Sequence, residues 1–113
     1  MSTAGPITRV TMIKIPSDEH QAIALVGFTE FAKTQQKNGV PYILSMQAGA
    51  ARGSARDQGY TLVTKSVFRN IEDMQYYETD CPAHNRYREF LKKNAPVESL
   101  MAVYFVAEAG FDI

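Results

Sequence analysis

Apolar and β-branched residues alternate with short polar ones through residues 7–15, ITRVTMIKI, and Pro16, which has no N–H to give to a ladder, ends the run. This predicts a first strand. Ser17 then offers a hydroxyl to the free amides of a helix start, and Asp18 and Glu19 put negative charge in its first turn. Good helix formers continue to Lys37, with Ala24, Phe28, Phe31 and Gln35 on one side and Ala22, Val26 and Thr29 on another. Asn38-Gly39 supplies the left-handed ending a helix prefers, and Pro41 prevents resumption. Residues 42–50, with Ile43, Leu44 and Met46, read as a second strand. The small, polar stretch 49–59 reads as a flexible surface loop joining it to a third strand at 60–68, YTLVTKSVF. Asn70 is placed to cap a short helix whose Ile71, Met74 and Tyr77 face the core. Residues 79–82 break that helix, 83–93 form another, and 100–107, LMAVYFVA, form the closing strand.

The resulting order is β, α, β, β, a helix broken in two, and β. It is the split βαβ arrangement, a ferredoxin-like α+β fold with a four-stranded antiparallel sheet and its helices on one face. The uncovered face of such a sheet should alternate toward polar residues if the domain works alone. The closing strand does not alternate: Leu100, Ala102, Tyr104 and Val106 point one way, Met101, Val103, Phe105 and Ala107 the other, and both sets are apolar. Each such side chain gains roughly 1.5–3 kcal/mol from burial, so something must cover the second face. A second copy of the chain is the simplest cover, and two sheets meeting about a two-fold axis give a dimeric α/β barrel. The alternative is a strand lying centrally beneath its own loops or the 51–59 segment.

With 113 residues the chain has room for one domain, spanning 1–113 with a core at about 7–107. Twelve Lys and Arg balance twelve Asp and Glu, so no overall positive field exists to draw nucleic acid or anionic lipid. Neither nucleic acid nor membrane is expected as a partner. The single cysteine, Cys81, has no internal disulfide partner, and no Cys or His spacing resembles a metal site. The polar stretch 1–6 does not resemble a targeting leader and no apolar run is long enough to span a bilayer, which gives a cytoplasmic expectation.

Histidine is the side chain suited to acid–base work near neutral pH, and there are only two, His20 and His84. His20 lies among Asp18, Glu19 and Gln21 in a first helical turn, where a solvated role is expected. His84 begins a helix with Tyr87 and Leu91 at i+3 and i+7, so it shares their inward side. It could bond a backbone carbonyl, cap the helix, or act on a ligand. Tyr77 is either a core phenol with one polar partner or the companion of His84, since the broken turn between them can direct both toward a hollow between helices and sheet. Cys81 beside Pro82 reads as an incidental thiol. Arg86, Arg88, Lys92 and Lys93 read as a solvated face complementing the helix C-terminus.

The segment GYTLVTKSVFRNIEDMQYY followed by CPAH, residues 59–84, resembles the stress-responsive dimeric α/β-barrel (Dabb) family, as do the opening strand VTMIKIP and the aromatic closing strand. It looks most like the short stand-alone fungal members. The resemblance covers nearly the whole chain and implies a ferredoxin-like homodimer. Within the family, plant olivetolic acid cyclase is similar in the GYT…YY…PAH region. That enzyme closes a linear polyketide by aldol condensation with a tyrosine and a histidine, which match Tyr77 and His84 here. The cyclase's histidines on its first and third strands match Arg9 and Leu62. Arg9 could serve an oxyanion or carboxylate, whereas Leu62 can neither donate nor accept. Strand direction and helix faces give Thr11, Ile13, Phe28, Phe31, Leu62, Thr64 and Tyr87 as further lining of the hollow. No haem site is supported, there being no Trp, and no cofactor is expected. Three functions follow: a stress-response dimer binding a small apolar or aromatic molecule, a polyketide cyclase or lyase acting through Tyr77 and His84, or a ligand-free dimer acting through protein contacts.

Overall fold

A computed structural model describes residues 5–112, so most of the polar stretch read at 1–6 lies outside the described residues. The elements are β1 (Ile7–Lys14), α1 (Asp18–Thr34), β2 (Ile43–Ala50), α2 (Ser54–Asp57), β3 (Leu62–Phe68), α3 (Ile71–Thr79), α4 (Pro82–Asn94) and β4 (Ser99–Val106). The sheet has the order β2-β3-β1-β4 and every neighbouring pair is antiparallel. This is the ferredoxin-like arrangement.

The helix starts form as the side chains dictate. Ser17 Oγ accepts from the His20 N–H at 3.3 Å, and Asn70 Oδ1 accepts from the Asp73 N–H at 2.8 Å. The end of α1 differs from expectation. It stops at Thr34, where the Gln35 side-chain oxygen accepts the backbone N–H groups of Tyr42 (3.0 Å) and Ile43 (3.1 Å) and ties the helix exit to the entry of β2. Asn38-Gly39 is therefore not a helix ending but a tight two-residue turn, with φ of 55° and 81° and reciprocal backbone bonds between Lys37 and Val40. The 49–59 stretch is likewise not all loop: β2 runs to Ala50, and the single-turn helix α2 follows.

Helices cover one sheet face. Ile7, Thr11 and Ile13 of β1 and Leu62, Thr64, Ser66 and Phe68 of β3 are buried beneath them, at the two-residue period of a strand. Phe28, Phe31, Phe68, Met74 and Tyr77 anchor one cluster; Ile13, Ile15, Ala24, Leu62, Leu91 and Ala95 form a second. Helices α1 and α4 approach closely at Gly27, where a Cβ would lie 2.6 Å from Phe90 Cε2.

The closing strand β4 is an edge strand, and among the described residues nothing lies over its exposed positions, which excludes the central, loop-covered alternative. Leu100 and Tyr104 on the helix side and Met101, Val103 and Phe105 on the other are all more than half exposed. Val10, Met12, Val63 and Val67 carry that second face across β1 and β3, each only partly covered. No helix among the described residues is long and apolar enough to cross a membrane.

Candidate ligand cavity and the Tyr77–His84 pair

Between the covered sheet face and helices α1, α3 and α4 lies a cavity of about 400 Å³. Alternation along β1 aims Arg9, Thr11 and Ile13 into it, β3 adds Thr64 and α1 adds Phe28. Helix α4 supplies His84, Tyr87, Arg88 and Leu91, spaced so that they share one face, and α3 supplies Tyr77. Val97 and Leu100 complete the apolar end.

The break between α3 and α4 sets the central geometry. Asp80 ends one helix and Cys81 precedes the next, with Pro82 at the first position of α4 where its missing N–H costs nothing. The chain reverses there and lays the His84 ring on the Tyr77 ring, centroids 4.0 Å apart and planes 13° from parallel. His84 Nδ1 lies 2.7 Å from the Tyr77 carbonyl oxygen and 3.3 Å from an Arg88 guanidinium nitrogen. One nitrogen cannot donate to the carbonyl and accept from the guanidinium at once. The shorter contact requires a donor, so Nδ1 carries the hydrogen and Nε2 holds the lone pair. Arg88 then merely approaches, its hydrogen bond going to the Glu78 carbonyl oxygen.

The surroundings keep both rings neutral. Burial lowers the His84 pKa from the ordinary 6.5 to about 4; the Tyr77 carbonyl opposes the fall, and the charges of Arg88 and Arg9 deepen it. Burial also raises the Tyr77 phenol, partly offset by Arg9 and Arg88. The Arg9 guanidinium lies 5.2 Å from the Tyr77 ring centroid, held by Glu78 at 3.2 Å and by Thr11 Oγ1 at 2.8 Å. At neutral pH the cavity therefore presents a phenol O–H and an imidazole with a free lone pair beside two guanidinium groups. Tyr87 contributes only its ring, because its hydroxyl donates to the Ala24 carbonyl at 2.8 Å.

Of the residues read from sequence as site candidates, Tyr77, His84, Arg9, Thr11, Ile13, Phe28, Thr64 and Tyr87 border this cavity. Phe31 and Leu62 do not. Phe31 stands behind the pair, stacked 6.0 Å from Tyr77 and 5.3 Å from His84, because its place on α1 points it between α3 and α4. Leu62 is covered within the second core cluster alongside Leu91 and Ile15. Arg88 and Lys92, expected on a purely solvated face, border the cavity instead. Their i+4 and i+8 spacing from His84 carried that signal. Cys81 is fully buried.

The sequence matches the Stress responsive A/B Barrel Domain over residues 7–106. The chain belongs to this Dabb family. A curated relative, the Fusaristatin A biosynthesis cluster protein of Gibberella zeae, is 43% identical over 109 residues, covering 96% of this chain and 78% of the relative. Among solved structures, a dimeric ferredoxin-like protein of unknown function from Bacteroides fragilis aligns with a TM-score of 0.67 at 19% identity, over 91% of this chain and 97% of its own. The hydroxynitrile lyase of Passiflora edulis aligns with a TM-score of 0.70 at 12% identity, over 96% and 99% of the two chains. SnoaB, a cofactor-independent oxygenase from Streptomyces nogalater, aligns with a TM-score of 0.65 at 14% identity, over 95% and 97%. At such identities these structures share the Dabb protein's fold, and their chemistries remain their own.

Proposed function

We propose that this Dabb protein is a cytoplasmic stress-response homodimer in which each cavity takes up a small apolar or aromatic molecule. The observation that carries the reading is a cavity of about 400 Å³ with an aromatic and aliphatic wall and a few convergent polar groups. That is the usual composition of a small-molecule site, and its volume falls in the usual range of roughly 300–1,000 Å³. The same volume disfavours a ligand-free dimer, whose interior would be filled by side chains. The apolar second face of the sheet supports the homodimer, as does the dimeric state of similar structures. The buried, unpaired Cys81 suits a reducing compartment. The stress-response role follows from the family resemblance alone.

A second reading, aldol-type ring closure of a polyketide-like substrate, is favoured by the neutral, tautomer-fixed His84 stacked on Tyr77 and by a relative named for a biosynthesis cluster. In it His84 Nε2 takes the proton next to a carbonyl, the carbanion attacks a second carbonyl of the same chain, Tyr77 donates a hydrogen bond to the developing alkoxide, and the proton held on Nε2 is returned to that oxygen.

One comparison tests both. Naphthalene-2-methanol titrated into the protein should shift the NMR signals of Tyr77 and His84, and Ile13→Trp, which fills the cavity, should abolish the shifts while the protein stays folded. Unchanged signals in the parent protein would contradict the binding reading. With a linear poly-β-keto thioester, cyclisation lost in His84→Ala would establish the second reading, and turnover undiminished by that change would remove His84 from it.

A further inference from the structure

The cavity is not evenly polar along its length. Ile13, Leu91, Val97 and Leu100 gather at one end, where Ile13 and Leu100 are cross-strand partners. Arg9, Tyr77, His84 and Arg88 gather at the other, and a third cation, the exposed Lys92, also borders the cavity but is paired with Glu89 at 3.1 Å. No carboxylate borders the cavity among the described residues. One acidic side chain serves this polar end: Glu78 pairs with the Arg9 guanidinium at 3.2 Å, and offers Arg88 only its backbone oxygen. Two guanidinium groups thus converge on one residue that neutralises one of them. Arg88 has no carboxylate partner among the described residues, although α4 is rich in charge.

We propose, on the footing that the cavity binds a ligand, that this ligand is amphiphilic and anionic: an aromatic or acyl body lies at the Ile13–Leu100 end and a carboxylate lies between Arg9 and Arg88. A guanidinium fork matches a carboxylate in shape as well as charge, and a charge-assisted bond is stronger than a neutral one. Arg9 is held ready by Glu78 and Thr11, so little side-chain freedom is lost when it takes up a carboxylate oxygen. Arg88 stands exposed at the mouth, where it meets the head group last. A carboxylate placed there sits against the neutral His84 and the Tyr77 ring.

The test compares naphthalene-2-carboxylate with naphthalene-2-methanol, which has the same ring system without the charge, by isothermal titration calorimetry at neutral pH. The carboxylate should bind at least about tenfold more tightly. Arg88→Gln should erase most of that preference, weakening the carboxylate far more than the alcohol. Arg88 is exposed, so the variant keeps the core. Lys33→Gln, exposed on α1 and outside the cavity wall, should keep the preference intact. Equal affinity for the two probes would overturn the anion inference and leave the binding reading standing. A preference undiminished in Arg88→Gln would overturn the assignment to this guanidinium. Binding of neither probe at millimolar concentration would overturn both the inference and the reading beneath it.

Discussion

His84 gathers the chemistry of the molecule into one ring. Its Nδ1–H is committed to the Tyr77 carbonyl, its faces lie against Tyr77 and Phe31, and two guanidinium groups stand nearby. Protonating it would place a charge on a buried ring, and beside two guanidinium groups as well, which is why its pKa falls to about 4. Between that value and the ordinary 6.5 the unfolded chain binds a proton that the folded chain refuses, so stability declines as the pH falls through this window and levels off below it. Relative to His84→Phe, which retains the stacking and cannot titrate, the parent protein should lose roughly 3 kcal/mol between pH 6.5 and pH 4 in urea unfolding. A difference independent of pH would contradict a buried neutral imidazole. The pair itself was legible in the sequence, because a helix break between Tyr77 and His84 leaves few directions for either ring. Arg88 was missed although its i+4 spacing from His84 put it on the same face, because a charged residue on a helix flanked by other charges reads as solvated until the facing strand is known.

Among the elements, the strands and helix starts were readable because each depends on neighbouring residues: alternation in β1, an Asn at the start of α3, a Ser before α1. What escaped was set by residues distant in sequence. The Gln35 side chain ends α1 by bonding the entry of β2, which freed Asn38-Gly39 to make a separate turn. Phe31 was expected to face the cavity, but the closeness of α1 to α4 turns it into the layer behind. That closeness depends on Gly27, since a Cβ there would press on Phe90 at 2.6 Å and Tyr87 at 3.0 Å. Gly27→Val should therefore lower stability by about 1–3 kcal/mol despite the better helix propensity of Val, and should weaken probe binding by shifting Tyr87. An unchanged or raised melting temperature would show that the helices are not wedged apart.

Among the described residues, the last strand is left exposed on both sides from Ser99 to Phe105. Met101, Val103 and Phe105, with Val10, Met12, Val63 and Val67 beside them, form an apolar sheet face that would be a poor surface on a lone protomer. This was foreseeable from a strand apolar at every position, whereas its place at the sheet edge required the pairing with β1 alone. On the proposed homodimer a second protomer across that face would bury these residues, and the balanced net charge of zero opposes no such approach. Phe105→Glu places a charge on that apolar face and should yield folded single chains. Sedimentation equilibrium at micromolar concentration decides the matter most directly: the parent protein should have twice the chain mass of 12.6 kDa, and Phe105→Glu that mass once. A parent protein that sediments as a stable single chain would contradict the account.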